Sequence, residues 1–261
     1  MLKVSVITVT YNEVENLTKT LKALLKQDYK NIESIIVDGG STDNSVEVIQ
    51  EFEKKFKGTV KWISEKDHGM FEAANKGIKM ATGDIIGGYW DVYASSDVIT
   101  KIVTTIERDG TDGVHGDLLY VEGSKIKRYW KMGEGKIQNG WMPGYPTLYL
   151  KREVYEKYGL YNEKFKYSWD YEFMVRILNK GKVKLSYIPE VLIYMFYGGS
   201  STSGFRAYKN SILDSIKSLK ENQVKFPRII TFKRFIRTAF QFINNRNISI
   251  DVKEKKEKKR G

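Results

Sequence analysis

The chain has 261 residues, of which 41% are hydrophobic and 13% aromatic, so it can bury a large core in one or two domains. It has no cysteine, which excludes disulfides and thiolate metal sites and suits a reducing cytoplasm. The N-terminal residues lack the apolar core and cleavage site of a signal peptide, and no apolar run of about 18 residues predicts a spanning helix.

The formal net charge of +12 is concentrated near the C-terminal end. Residues 225–261 contain twelve Lys and Arg against three acidic residues, so most of the surplus belongs to this segment. An even spread of charge would have favoured nucleic acid, but no nucleic-acid recognition motif accompanies the basic segment and we expect no such partner. Residues 251–261 are predicted to be a disordered charged tail.

The first half of the chain alternates predicted strands and helices. Residues 4–10 are rich in Val, Ile and Thr and predict a buried strand. Asn12 and Glu15 have the spacing of a capping box, and a helix with one apolar face follows to Leu25. Residues 34–38 predict a second strand, followed by a Gly-rich loop and a second helix. This βαβα order predicts a parallel sheet with right-handed crossovers.

Residues 64–91 predict a turn, a helix, a Gly turn and a buried strand. Met70, Phe71, Ala74 and Ile78 recur at helical spacing, and the strand that follows ends at Asp91. In open α/β sheets, ligands bind at the carboxyl edge of the strands. Asp91 is therefore predicted to stand at a ligand-binding edge.

The second half is predicted to contain a helix that starts at Asp97, strands over 114–121 and 125–130, and a strand, Pro turn and strand over 183–197. A helix over 208–219 follows. Residues 226–243 combine Phe and Ile side chains with Arg and Lys. Such a segment can lie on an anionic bilayer or pack back on the preceding domain, and we favour peripheral membrane contact.

Six segments carry a resemblance to a known family: VSVITVTYNE, IIVDGGSTDNS, SEKDHGMFEAANKGIKMATGDII, MPGYPTLYLKREVYEKYG, SWDYEFMVRIL and IPEVLIYMFYGGSST. Over about residues 3–203, in unbroken order, the chain resembles the family 2 glycosyltransferases of the GT-A fold, of the bacterial polysaccharide and glycolipid type. The resemblance implies an α/β domain over residues 1–205, with a mixed, mainly parallel sheet flanked by helices. Residues 1–100 would form its nucleotide-binding half and 101–205 its acceptor half, with a basic helical extension over 206–250.

The resemblance also implies an activity. It is inverting, metal-dependent transfer of a hexose or N-acetylhexosamine from a nucleotide sugar, most often a UDP-sugar, to a glycan or lipid-linked glycan. Such transfer belongs to cell-surface polysaccharide biosynthesis, which places the protein in the cytoplasm or on the inner face of the membrane. The alternative is a weakened or non-catalytic relative that only binds a nucleotide or glycan.

Several side chains near predicted strand ends match donor-binding positions of the family. Asp38 is also explained as a partner of backbone N–H groups in its loop, Asp67 as a helix cap, and Lys76 as a solvated side chain. Relatives often carry Arg where Ala74 stands, which weakens the case for a diphosphate contact here. The donor-binding residues implied are Thr8, Tyr11, Glu13, Asp38, Asp67, Asn75, Lys76, Trp90, Asp91 and Asp117.

The predicted metal site departs from the family pattern. Relatives usually have Asn-x-Asp-Asp before a Val-Tyr pair, whereas here the loop is two residues shorter, Asp91 matches the last acid, and Trp90 replaces the one before it. One carboxylate can still hold Mg²⁺ or Mn²⁺ when a diphosphate supplies other oxygens. The site can therefore use Asp91 alone, recruit another acid such as Asp97, or have weakened.

Asp170 is the predicted catalytic base. It matches the acid that the family uses to accept the proton of the acceptor hydroxyl, and an N-cap role is the alternative. Trp169 before it can stack on a sugar or pack in the core. The Gly/Ser run at residues 198–202 is either a loop that closes over the diphosphate or an ordinary connection.

Overall fold

The computed structural model describes residues 1–89, 91–123, 125–196 and 205–241. Its first half is a parallel sheet with strand order β3-β2-β1-β4. The register pairs Thr10 of β1 with Asp38 of β2 and Asp38 with Ser64 of β3, so these strands end together at one edge. The strands are β1 (Val4–Thr10), β2 (Ile32–Asp38), β3 (Thr59–Ser64) and β4 (Ile85–Tyr89).

Three helices cover both faces of this sheet: α1 (Val14–Leu25), α2 (Ser45–Lys55) and α3 (Met70–Met80). Successive side chains of β1 point to opposite faces, so Val6 packs in the core under α1 and α2 whereas Ile7 packs in the core under α3. Because both faces of the sheet are buried, the sequences of its strands are almost continuous runs of apolar residues. Gly77 allows α3 to approach closely, because a Cβ there would lie 2.5 Å from Ile7 Cγ2.

The predicted capping box at the start of α1 is wrong. Asn12 has a positive φ of 49°, and its Oδ1 accepts a hydrogen bond from Thr42 N at 2.7 Å. Asp43 instead accepts from Val14 N and Ser45 N, each at 3.0 Å. One carboxylate therefore caps two helices and joins the loops after β1 and β2.

The second half continues the same sheet in the order β4-β8-β6-β9-β5, with β7 paired to β6. A Cβ at Gly87 of β4 would lie 2.4 Å from the Tyr149 ring, so this glycine makes room for the ring where the two halves join. The elements of the second half are β5 (Val92–Tyr93), α4 (Val98–Asp109), β6 (Gly113–Glu122), β7 (Lys125–Trp130), β8 (Tyr149–Lys151), α5 (Arg152–Tyr158), α6 (Trp169–Val175), a π-helical turn (Arg176–Lys180) and β9 (Leu185–Phe196).

The strand, Pro turn and strand predicted over 183–197 is one strand, β9. Its register against β6 shifts between the pair Gly116–Ile188 and the pair Asp117–Val191. Pro189 lies in that irregularity, where its missing N–H costs no ladder hydrogen bond.

The chain then forms α7 (Phe205–Glu221) and α8 (Pro227–Phe240), which are the predicted helical extension. One face of α8 packs on the 3₁₀ turn Ile137–Asn139: Ile230 is buried, and a Cβ at Gly140 would lie 2.4 Å from Arg234 N. Within the described residues, no helix is long and apolar enough to cross a membrane.

Candidate active site

Tyr11, Gly39 and Asp67 meet at the carboxyl edge of the parallel strands, and this group of three residues is called the slot. A Cβ at Gly39 would lie 2.9 Å from Asp67 Oδ2 and 3.2 Å from Tyr11 Cδ2, so the bare backbone fits between a carboxylate and a ring. The Tyr11 side chain is 60% exposed, and Asp67 Oδ1 is fixed by Gly69 N at 2.9 Å. An exposed ring beside a fixed acceptor offers both stacking and hydrogen bonding to a planar base.

Asp38 lies directly beneath this slot and is fully buried. Its Oδ2 accepts hydrogen bonds from Ser41 N at 2.9 Å and from Ser64 Oγ at 2.6 Å, and its Oδ1 accepts from Ser41 Oγ. The structure therefore shows the loop-holding role that the sequence left open. Asp38 ties the ends of β2 and β3 together beneath the slot.

Two other predicted donor contacts do not join the slot. Glu13 is the exposed residue before α1 and accepts a hydrogen bond from Asn16 Nδ2 at 2.9 Å. Thr8 lies inside β1 and is 1% exposed. Because side chains alternate between the faces of a strand, Thr8 is directed into the core on the α1 side rather than over the edge.

Asn75 and Lys76, two predicted donor contacts, have partners within the protein. The Asn75 amide exchanges two hydrogen bonds with the backbone of Tyr161, at 2.9 and 3.0 Å, which ties α3 to the segment before α6. Lys76 Nζ lies 2.8 Å from Glu65 and 3.2 Å from Glu72. The hydrogen bond that Lys76 donates to Glu65 is the main cause that raises the pKa of Lys76.

Asp117 is also structural. It is buried and accepts hydrogen bonds from Tyr129 Oη and Tyr187 Oη, both at 2.7 Å, and from Met132 N at 2.8 Å. Burial and this carboxylate together raise the pKa of Tyr187 to about 12. With three hydrogen bonds accepted in the core, Asp117 joins β6, β7 and β9.

Asp91 is turned into the interior, which contradicts its prediction as an exposed edge carboxylate. It is 6% exposed, and neither of its oxygens has a hydrogen-bond partner among the described residues. It lines a cavity of about 10 Å³ with Thr8, Thr20 and Leu24, room for roughly one water molecule. Burial raises the pKa of Asp91 well above its ordinary value, because removal from water disfavours the charged form.

The residues around Asp91 do not fit Mg²⁺ or Mn²⁺. Both ions need several oxygen ligands, whereas the lining of the Asp91 cavity is mostly apolar, with Val6, Leu24 and Ile193 among its residues. Among the described residues, no group of three acidic or histidine side chains can hold a metal ion. Asp97, the alternative acid, precedes α4 and pairs with Lys101 at 3.1 Å, as its predicted helix-start role requires.

Asp170 lies in the first turn of α6, where Ser168 and not Asp170 is the N-cap. Burial raises its pKa, while the positive charge of Arg234 and the hydrogen bonds from the backbone N–H groups of Asp170 and Tyr171 oppose that rise. Arg234 comes from α8, with its guanidinium 4.1 Å from the centre of the Tyr171 ring and one nitrogen 2.9 Å from Ser215 Oγ. The C-terminal extension thus places a fixed cation beside the predicted base.

Asp91 and Asp170 lie near one tyrosine of β6. Burial is the main cause that raises the pKa of Tyr120, and the charges of Asp91 and Asp170 add to it while Arg128 and Arg234 oppose it. The Arg128 guanidinium lies 4.6 Å from the centre of the Tyr120 ring. Charges from both halves of the sheet and from α8 therefore act on Tyr120.

Trp169 packs in the core, which is one of the two roles left open for it. Its ring contacts those of Tyr145 and Tyr161 edge-on, with centroids 4.7 Å away in both cases. The other predicted contacts, from Trp90 and from residues 198–202, lie outside the described residues.

Sequence reasoning missed two features of the site. Arg234 was grouped with the other basic residues of its segment, because helical spacing does not show which residues of a surface helix face inward. Gly39 was seen only as part of a loop. The GG dipeptide is a signal for close backbone approach, but its neighbours become visible only in the fold.

Comparisons with known proteins agree with this architecture. The family model "Glycosyl transferase family 2" matches residues 5–169, which is well over half of the chain. An uncharacterized glycosyltransferase of Mycobacterium tuberculosis is 35% identical over 113 residues, and the match spans 41% of each chain. A dolichyl N-acetyl-alpha-D-glucosaminyl phosphate 3-beta-D-2,3-diacetamido-2,3-dideoxy-beta-D-glucuronosyltransferase of Methanococcus voltae is 28% identical, over 77% of this chain and 69% of the relative.

Solved structures confirm the fold. TarS of S. aureus, solved with UDP-GlcNAc, matches with a TM-score of 0.69 at 19% identity, over 93% of this chain and 74% of that chain. The mannosyltransferase PcManGT of Pyrobaculum calidifontis, solved with GDP-Man and Mn²⁺, matches with a TM-score of 0.65 at 17% identity, over 90% and 70%. The chain has the predicted GT-A fold and belongs to glycosyl transferase family 2.

Proposed function

We propose that this chain is an inverting glycosyltransferase that moves a sugar from a nucleotide sugar, preferably a UDP-sugar, to a hydroxyl of a glycan or lipid-linked glycan. The observation that carries the proposal is the carboxylate of Asp170, partly buried at the start of α6 with Arg234 beside it. Asp170 directly follows the segment 5–169 that matches the family 2 model. The name of the M. voltae relative supports a lipid-linked acceptor.

Asp170 acts as the general base in this proposal. Burial raises the pKa of Asp170, which makes the carboxylate a stronger base, while the charge of Arg234 opposes that rise and favours the ionised form. The carboxylate takes the proton of the acceptor hydroxyl as that oxygen forms its bond to the anomeric carbon. The bond from that carbon to the diphosphate breaks on the opposite face, and the nucleoside diphosphate leaves with the electron pair. A single displacement of this kind inverts the anomeric centre.

The slot of Tyr11, Gly39 and Asp67 is proposed to hold the nucleoside. The Tyr11 ring would stack on the base and Asp67 Oδ2 would accept a hydrogen bond from a base N–H or a ribose hydroxyl. No step is assigned to Mg²⁺ or Mn²⁺, because Asp91 is not placed to ligate either ion. The wider setting we propose is cell-surface polysaccharide synthesis at the inner face of the membrane.

A second candidate is a non-catalytic protein that binds a nucleotide or a glycan. The buried, unpaired Asp91 favours it, because this residue occupies the place of the family's metal-binding acid. The two candidates differ in turnover and not in nucleotide binding.

The test combines binding with turnover. A panel of UDP-sugars and GDP-mannose is assayed for nucleoside diphosphate release with and without Mn²⁺, and UDP binding is measured by calorimetry. Asp170→Asn should lower turnover by about 10²–10⁴-fold, the range for general base catalysis, with UDP affinity unchanged. Tyr11→Ala should weaken UDP binding instead. Binding without any turnover supports the second candidate. Failure to bind any nucleotide or nucleotide sugar refutes the transferase and the nucleotide-binding form of the second candidate.

A further inference from the structure

The helix α8 has two opposite faces with different surroundings. Ile230 is buried and Arg234 is directed to the Tyr171 ring, so this side packs on the acceptor half. At about 100° per residue, the opposite side carries a continuous apolar stripe. Its members are between 39% and 62% exposed: Ile229, Phe232, Phe235, Ile236 and Phe240.

The charges of α8 are all of one sign. The helix contains Arg228, Lys233, Arg234 and Arg237 and no acidic residue. Arg228, Lys233 and Arg237 are exposed and border the apolar stripe. An apolar stripe with a basic border is the surface that amphipathic helices present to an anionic bilayer, where apolar groups enter the acyl boundary and cations meet lipid phosphates.

An open groove adjoins the same side of α8. It has a volume of about 570 Å³ and is lined by Phe226, Ile229, Lys225 and Lys233 from the α8 side and by Gln138 and Asn179 from the neighbouring turns. Two lysines beside apolar side chains give this groove the chemistry of a phospholipid headgroup site at its rim. The groove thus extends the stripe toward the acceptor half.

We infer that the outer face of α8 docks on an anionic membrane surface. The opposite face of the same helix carries Arg234, whose guanidinium lies 4.1 Å from the ring centre of Tyr171, the residue after Asp170. Docking would therefore hold the predicted catalytic base on the far side of α8 from the bilayer. This placement rests on the proposed function, because only a transferase with a lipid-linked acceptor gains from it. A second copy of the chain is disfavoured as the occupant, because the basic border would face itself across a symmetric contact.

The test measures co-sedimentation of the full chain with vesicles of phosphatidylcholine alone and with about one third phosphatidylglycerol. The chain should bind the anionic vesicles at least about tenfold more tightly, and binding should weaken as salt rises. The double substitution Phe232→Ser/Phe240→Ser should reduce binding to anionic vesicles at least about tenfold. Arg228→Glu/Arg237→Glu should do the same.

Matched controls test whether the loss of any exposed apolar side chain or any two positive charges, outside the outer face of α8, has the same effect on vesicle binding. Leu213→Ser removes an exposed apolar side chain from α7, and Lys30→Glu/Lys57→Glu makes the same charge change on the nucleotide-binding half. Both should bind vesicles almost as the unmodified chain does. Unchanged binding by the Phe232/Phe240 variant would assign any vesicle contact to the basic tail and overturn the inference. The inference would also be overturned if the unmodified chain formed a dimer that the Phe232/Phe240 variant did not form, and if neither protein bound vesicles.

UDP binding in solution is measured on the same proteins. Because the slot of Tyr11, Gly39 and Asp67 lies outside α8, the vesicle-defective variants should keep full UDP affinity. Loss of vesicle binding with UDP affinity intact supports the inference, whereas a chain that binds vesicles but no nucleotide refutes the proposed function alone.

Discussion

Replacement of Asp91 by Asn tests the most unusual feature of the site. The carboxyl is buried without a partner among the described residues, and its pKa is raised by burial. In the unfolded chain the Asp91 carboxyl ionises at about pH 3.9, whereas in the folded chain it keeps its proton to a higher pH. The unmodified protein should therefore lose about 1.4 kcal/mol of unfolding free energy per pH unit above the unfolded pKa, until the raised folded pKa is reached.

Asp91→Asn removes this titration, since the amide stays neutral. At about pH 4 the two proteins should be similarly stable, and the variant should then gain about 1.4 kcal/mol per pH unit relative to the unmodified chain. For a domain of this size, each kcal/mol corresponds to about 2–4 °C in Tm. Urea unfolding followed by circular dichroism at about pH 4, 5, 6 and 7 measures the difference, in which the titrations of all other groups cancel.

The matched control is Asp117→Asn. Asp117 is at least as buried but accepts three hydrogen bonds, so its variant should lose stability, by about 1.5–3 kcal/mol. A pH-independent difference between Asp91→Asn and the unmodified protein would refute the reasoning. If Asp91 were an ionised metal ligand, the variant would instead lose Mn²⁺-dependent nucleotide binding and gain no stability as pH rises.

Three further predictions follow from other contacts. Arg234→Gln should move the acid limb of the pH profile of kcat to higher pH, because the charge that lowers the pKa of Asp170 is gone. A purely structural loss would lower kcat without moving that limb. Arg237→Gln, at an exposed position of α8, is the control. Burial lowers the pKa of His115 to about 4, so the unmodified protein should lose about 3 kcal/mol of unfolding free energy as pH falls from about 6.5 to 4, and His115→Gln should show little of this loss. Asn75→Ala should lower the unfolding free energy by about 1–3 kcal/mol because it leaves the Tyr161 backbone groups unpaired; a raised donor KM with unchanged stability would restore Asn75 to the donor site.

Much of the scaffold follows from the sequence. Val4–Thr10, the helix Met70–Met80 and the hairpin of β6 and β7 were predicted within a few residues, because alternating and helical apolar spacing report local burial directly. The GT-A fold was predicted from the order of six motifs. The capping box failed because Asp43, from another loop, supplies the cap for α1, and a local pattern cannot show a partner that is about 30 residues away.

The candidate site was less predictable, because a motif fixes where a residue stands along the chain but not which way its side chain is directed. The sequence by itself determined the family, the strand edge at which Tyr11 and Asp67 meet, and the position of Asp170 at a helix start. Only the tertiary structure decided that Asn75 and Asp117 form hydrogen bonds within the protein and that Asp91 is buried. It also decided that the charge of Arg234 acts on Asp170. The physical reason is that burial, hydrogen-bond satisfaction and the field at a carboxylate depend on neighbours that the chain brings together from distant segments.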